Sequence, residues 1–413
     1  MPYVIGVGST TFGKHPNSSF RELARESISA ALKDANITEK PQHIYFGNCA
    51  MHAFGQANIR GQTALNPLFL DGTLLPHTPI SNMEAGCATG GATFHAALHN
   101  LHSNDFSLAV GVEKLLFPED PKMLKSFPLF ADGIDRQYQD EWMHFYREQA
   151  QKHDLPFTPH PYRIIFLDIH AMQPHAAIRK GHCTKEDIAA VAAKNHSNSV
   201  QNPRAQYRFP MTKEQVLADR AILEPFTRSM CAPISDGATA LFLCSDDAFG
   251  RLPLVVQQRA IRILGCGMAG GHMQDHTAPS VTYHAAKKAF SQASLTPQDI
   301  DLAEIHDSTA HCELKHMESL GLCEKAGVFA RNGATTKEGA LPINASGGLI
   351  SKGHPLGATG LGQIFELTLQ LRQEADAIQI KKSPRLALAQ NAGGMIGFDE
   401  ALSVVSILER VAT

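Results

Sequence analysis

The stretch Asn82-Met-Glu-Ala-Gly-Cys87-Ala-Thr-Gly-Gly91 carries the first residue able to do chemistry. Gly86 before the cysteine, and Gly90 and Gly91 after it, permit a tight strand-to-helix turn with close backbone approach. Cys87 then sits at or near a helix N-terminus. Unpaired N–H groups and the positive dipole end favour thiolate over thiol at such a position. The thiolate is the nucleophile, so the geometry suits acyl transfer. A purely structural cysteine fits the same pattern, and this loop alone does not separate the two.

A second glycine-rich loop adds what the first lacks. Asn344-Ala-Ser-Gly-Gly-Leu-Ile-Ser-Lys-Gly-His354-Pro-Leu-Gly-Ala-Thr-Gly360 sets a histidine between Gly353 and Pro355, just before a helix. Proline suits the first helical position, and the glycines let the loop approach a ligand. A lone histidine there is an ordinary loop residue. Paired with a matching cysteine loop in the other half of the chain, it is far more specific.

The elements that position these loops repeat. Strand-like Tyr3–Gly8, helical Phe20–Ala35, strand-like His43–Asn48, helical Gly86–Leu101 and strand-like Phe106–Val112 form one series. Ala260–Gly265, Thr282–Ala293, Asp301–His306, Gly357–Leu371 and Arg385–Gln390 replay it. Ala35-Asn-Ile-Thr38 is echoed by Ala293-Ser-Leu-Thr296, and Ala88-Thr-Gly90 by Ala358-Thr-Gly360. The order implies a duplicated α/β fold: two similar halves, 1–255 and 256–413, with layered helices and mixed sheets. A long excursion from the first half, about 117–207, holds FPEDPKMLKSFP, an aromatic patch at Tyr138–Tyr146, PFTPHPYRI and a helix over Thr184–Lys194. Excursions this long often form a substrate wall. Thr239–Cys244 closes the first half as a strand.

The bulk composition excludes other classes. With 413 residues, 43% hydrophobic and 19% charged, the chain folds around more than one ordinary core. A net charge of -3, without Lys/Arg runs, leaves no basis for nucleic-acid or membrane-surface binding. No run approaches the length of a membrane span. Neither MPYVIGVGST nor Leu408–Thr413 carries a targeting signal, so a cytoplasmic protein is expected. The eight cysteines lack regular spacing and are expected to be reduced thiols. Despite 21 histidines, no H-E-x-x-H or zinc-finger spacing occurs, and no metal is expected. Gly6-Val-Gly8-Ser-Thr-Thr-Phe-Gly13 lacks dinucleotide-loop spacing.

Taken together, these segments resemble thiolases, closest to the sterol-carrier-protein-type and archaeal-like branches. The resemblance runs through VIGVGSTTFGKHP, KNHSNSVQNPRAQYR, Cys231-Ala-Pro-Ile-Ser-Asp-Gly-Ala238, Glu304-Ile-His-Asp307, Gly353-His-Pro355 and Gln390-Asn-Ala-Gly-Gly394. It implies an acyltransferase acting on coenzyme A thioesters, with Cys87 as acyl acceptor. His354 would activate the cysteine and donate to a thioester oxygen, and His306 would help form that first oxyanion hole. Backbone N–H groups of Cys87 and the Gly393–Gly394 turn, with Asn391 beside it, would form the second. Coenzyme A is then substrate and product, with no permanently bound cofactor. A homodimer or tetramer is the family's usual state, and some relatives work with a small zinc-ribbon/OB-fold protein.

The sequence departs from the family pattern at the second acid/base. Most thiolases carry a cysteine in the late glycine turn; here Gln390–Gly394 has none. The sterol-carrier-type branch uses the cysteine of His-Asp-Cys-Phe; here Ser308 stands in its place. A hydroxyl is too weak an acid to exchange that proton near neutral pH. Cys312, one helical turn on, and a water held by Ser308 are alternatives. So is other chemistry: transfer to a non-CoA acceptor, aldol-type cleavage of a CoA ester, or a non-catalytic acyl-CoA-binding subunit. Asp307 reads as a turn or cap residue, and Ser235-Asp-Gly237 as a structural turn. For coenzyme A itself, the turn expected around Gly267–Met268 is the one candidate.

Overall fold

The computed structural model describes residues 1–117, 134–160, 163–274 and 277–411. FPEDPKMLKSFP beyond Phe117, and residues 161–162 of PFTPHPYRI, lie outside these. The first half supplies β1 (Tyr3–Ser9), β2 (His43–Gly47), β3 (Ile80–Met83), β4 (Phe106–Glu113) and, after a hairpin of β5 (Ala221–Leu223) and β6 (Phe226–Thr227), β7 (Gly237–Cys244). The second half supplies β8 (Ile261–Gly270), β9 (Leu302–Ile305), β10 (Leu386–Gly393) and β11 (Leu402–Arg410).

Nine of these strands form one sheet in the order β3-β2-β4-β7-β1-β8-β11-β10-β9. Outward from the antiparallel β1–β8 junction, each half runs antiparallel, antiparallel, parallel. Thus β7 matches β11, β4 matches β10 and β2 matches β9. β3 lies parallel on β2, and a parallel bridge from Ala303 to Ile343 stands in that place in the second half. Cys87 follows β3 and His354 follows Ile343, so the two reactive loops are counterparts in the repeat.

The helices fall where the apolar pattern puts them. Ser19 accepts from the Glu22 N–H, and Glu22 answers to the Ser19 N–H, closing a capping box on Phe20–Ala35. Leu23 and Ile28 of this helix are fully buried against β1 and β7, each contributing about 1.5–3 kcal/mol. Val281–Ala293 covers β8 and β11 in the same way. The echoed segments end both helices alike, with Asn36 at φ 51° and Ser294 at φ 54°. Close approach needs paired glycines. A Cβ on Gly6 would lie 2.3 Å from the Ala31 carbonyl oxygen, and one on Gly267 2.2 Å from that of Ala285. The glycines of Gly6-Val-Gly8 and Gly265-Cys-Gly267 are therefore helix-packing residues.

Between the two half-sheets lie Thr89–Asn100 and Leu356–Arg372, giving helix–sheet–helix–sheet–helix layers. Every residue from Leu356 to Thr368 is buried. The two helices cross where a Cβ on Gly90 would lie 2.6 Å from the Gly360 nitrogen, at the repeated Ala-Thr-Gly. The excursion is longer than the sequence suggested, since β4 ends at Glu113 and β7 begins at Gly237. Its helices include Gln139–Lys152, Ile165–Arg179 and Lys185–Ser199. The aromatic patch becomes a small core in which Tyr146 and Phe145 pack on Phe398. No helix among the described residues is long and apolar enough to cross a membrane.

Candidate active site

Cys87 lies in a single 3-10 turn, Gly86–Ala88, and the α-helix proper begins at Thr89. Gly86 has φ 54°, a conformation that glycine adopts at little cost. The Glu84 carboxylate accepts from the Gly86 N–H at 2.6 Å. Thr89 Oγ1 accepts from the Ala85 N–H and donates to the Gly86 carbonyl. A Cβ on Gly393, the last residue of β10, would lie 2.2 Å from the Ala88 nitrogen, so only glycine lets β10 end flush against the cysteine. Gly394 turns away at φ 62°.

The His354 loop hangs from the end of β9 and from its surroundings. Glu304 accepts from the Ser346 N–H and hydroxyl. Asp307 accepts from the Leu349 N–H at 2.6 Å and from Asn195 Nδ2 at 2.8 Å. The expected cap role of Asp307 is thus exercised on a distant helix, Gly348–Lys352. Burial raises both carboxyls, that of Glu304 to about 7. Glu113 at the end of β4 accepts from the N–H groups of Cys49, Ala50 and Gly357, tying the first half to the start of the histidine helix. Gly353 has φ 116°, and Ser235 Oγ receives the His354 N–H at 3.0 Å.

Hydrogen bonds assign the protons of both histidines. The Thr359 hydroxyl donates to the Pro355 carbonyl at 3.0 Å, so it accepts at 2.7 Å from His354 Nδ1–H. His354 Nε2, buried and without a partner among the described residues, then carries a lone pair. Asn391 Oδ1 accepts from the Gly91 N–H at 2.9 Å, which fixes its amide. Its Nδ2 donates to the Cys87 carbonyl and to His306 Nδ1, both at 3.1 Å. His306 therefore presents Nε2–H. Burial lowers His354 to about 3, and burial followed by repulsion from His354 keeps His306 well below the usual imidazole range. Both rings are neutral at pH 7, nearly perpendicular and 5.1 Å apart.

Cys87 Sγ and a nitrogen of each histidine lie within 4.8 Å of one another. Three such atoms could in principle hold a metal. The Asn391 bond argues otherwise, because it occupies the His306 Nδ1 lone pair and leaves the proton on Nε2, whereas a ligating nitrogen must be unprotonated. The arrangement instead offers a nucleophile, a neutral base and a neutral donor.

Residues 3–215 match the family described as Thiolase, N-terminal domain, and residues 268–410 match Thiolase C-terminal domain-like. The chain belongs to the thiolase superfamily. It is 33% identical to an acetyl-CoA acetyltransferase of Methanothermobacter thermautotrophicus, over 95% of this chain and 96% of that one. It is also 33% identical to sterol carrier protein 2 of Gallus gallus, over 95% of this chain and 69% of the relative. Among solved structures, an Ltp2-ChsH2(DUF35) aldolase aligns with a TM-score of 0.75 at 20% identity, over 99% of this chain and 97% of its own. This thiolase-superfamily chain is thus an acyltransferase that works on coenzyme A thioesters. Thiolases use coenzyme A as substrate and need no permanent cofactor.

Of the residues singled out in the sequence, Cys87, His306, His354, Asn391, Gly393 and Gly394 come together. The expected late glycine turn is shorter, since Gln390–Gly393 still belong to β10. Gly267 and Met268 are not in a turn; both lie inside β8, which runs on to Gly270. Gly267 faces the helix Val281–Ala293, away from the site. Met268 lines a cavity of about 590 Å³ with Gly86, His95, Gly394 and Met395. Ser308 is half-buried, with Oγ 3.6 Å from Cys312 Sγ. The thiol lies 3.2 Å from Thr309 Oγ1 and 3.6 Å from Nδ1 of His170, on the excursion helix. Burial raises Cys312, keeping it a thiol. Sequence reasoning missed Thr359 and His170. The repeated Ala-Thr-Gly held the signal for Thr359, whose counterpart Thr89 braces the cysteine loop.

Proposed function

We propose that this enzyme performs thiolase chemistry proper, 3-ketoacyl-CoA thiolysis or acetyl-CoA condensation, through an acyl group on Cys87. The observation that carries the reading is the pairing of a lone pair on His354 Nε2 with a proton on His306 Nε2 beside one thiol. His354 takes the Cys87 proton as Sγ attacks the thioester carbonyl carbon. The N–H groups of Cys87 and of the Gly393–Gly394 turn then stabilise the tetrahedral oxyanion. As the C–S bond to coenzyme A breaks, His354 returns the proton to the leaving thiolate. In the second half-reaction, His306 Nε2–H donates to the oxygen of the incoming thioester enolate.

The α-proton needs one more group. Cys312 Sγ lies 3.6 Å from the Ser308 hydroxyl, and in this reading that hydroxyl relays the proton between the thiol and the site. A second reading, aldol-type cleavage with a partner subunit, draws on the missing thiol at Ser308 and on the fold shared with the Ltp2-ChsH2(DUF35) aldolase. We also propose the repeat limits 1–255 and 256–413, a cytoplasmic location, and a homodimer or tetramer. β3 pairs on one side alone among the described residues, leaving a sheet edge next to the Cys87 loop. The cavity beside Met268 and Gly86 is the proposed acyl-CoA site.

The test is thiolysis of acetoacetyl-CoA with coenzyme A by wild type, Ser308→Cys and Cys312→Ala. Cys312→Ala should lose turnover while Cys87 still acylates, and Ser308→Cys should gain condensation activity at a nearly constant acylation rate. Full turnover in Cys312→Ala would remove the relay. Robust acylation with no thiolysis in any variant would favour the aldol-type reading.

A further inference from the structure

A second pair of histidines converges on one point away from the acyl-transfer trio. His95 and His99 stand one helical turn apart on Thr89–Asn100, so their side chains share a face. Their Nε2 atoms are 3.1 Å apart. Imidazole nitrogens lie about 2.0–2.1 Å from a bound divalent transition metal, which puts two of them roughly 2.9 Å apart at a right angle and roughly 3.4 Å apart at a tetrahedral one. The observed separation falls between these limits. His99 is exposed and His95 half-buried, so an ion arrives from solvent and water completes its shell. His102 continues the same edge, its ring centroid 5.9 Å from that of His99.

Burial first, then His99 and Lys288, pushes His95 down to about 4, so it is uncharged at neutral pH. Lys288 is the cation that opposes an ion here, and its Nζ is engaged with the Met268 carbonyl at 2.9 Å. Imidazole pairs suit copper, nickel and zinc, whereas magnesium and calcium prefer oxygen.

We propose that His95 and His99 form a two-imidazole site for a divalent first-row transition-metal ion of the copper, nickel or zinc class. The ion clips one turn of the helix that starts at the Cys87 loop, and His95 also borders the cavity beside Gly86. The competing description is a hydrogen-bonded imidazole pair that binds nothing.

Titration of the full chain with Ni²⁺ alone, followed by calorimetry, and with Cu²⁺ alone, followed by electron paramagnetic resonance, separates them. The Cys87→Ala background removes the thiol as a competing ligand. One ion per chain with two nitrogen ligands is expected, and His99→Ala should raise the dissociation constant at least tenfold. His95→Gln should do the same. His99 is exposed, so its variant remains decisive if the His95 variant folds poorly. Unchanged affinity in His99→Ala, or no binding at millimolar Ni²⁺ and Cu²⁺, overturns the proposal.

Discussion

Thr359 controls which nitrogen of His354 carries the proton, and Thr359→Val tests that directly. Valine keeps nearly the same shape and removes the oxygen that accepts His354 Nδ1–H at 2.7 Å. The buried donor then lacks a partner, a loss of about 1–3 kcal/mol. A shift of the proton to Nε2 relieves it, but that nitrogen can then no longer accept from Cys87. Each 1.36 kcal/mol is about tenfold in rate, so acylation should slow by roughly five- to 150-fold. Thioester binding should hold nearly constant, because Thr359 is buried behind the ring. The assay is single-turnover acylation by saturating acetyl-CoA, quenched and read by intact mass. Thr359→Ser keeps the oxygen and should recover most of the rate. A valine variant as fast as wild type would refute the reasoning, and a serine variant as slow as valine would move the effect from tautomer to packing.

Two further perturbations follow from the same geometry. Gly393→Ala drives a Cβ to 2.2 Å from the Ala88 nitrogen and should displace Cys87; a misplacement of this kind costs about a hundredfold in acylation. Normal acylation by a folded Gly393→Ala protein would show that β10 does not set the cysteine. His354 lies near 3 folded against about 6.5 unfolded, so the unfolded chain binds the proton first. Stability is therefore full above about pH 6.5 and falls as pH drops towards 3, by about 2 kcal/mol at pH 5 from this group alone. Urea midpoints at neutral and acid pH measure it; no decline on acidification, or the same slope in His354→Gln, would count against a buried neutral imidazole.

Much of the fold was legible because duplication writes the same physics twice. The helix Phe20–Ala35 and the strand Phe106–Glu113 fall almost where periodicity drew them. β11 escaped, since the glycine turn before it reads as part of the active-site loop and Leu402–Arg410 ends in the charged pair Glu409-Arg410. The strands β8 and β10 ran further than expected, through glycines at Gly267 and Gly393 that read as turns but serve close packing. Cys87 and His354 announced themselves through their glycine-rich loops. Thr359 works within its own loop, on His354 and Pro355, and the repeated Ala-Thr-Gly marked its position without its role. His170 reaches Cys312 across 142 residues, a contact that no local spacing encodes.

The most direct measurement of the central claim is intact-mass and peptide mass spectrometry after incubation with acetyl-CoA. Wild type should gain one acetyl group on the peptide holding Cys87, and Cys87→Ala, still folded, should gain none. Undiminished labelling of Cys87→Ala, or a label on another residue in the wild type, would contradict an acyl-enzyme at Cys87.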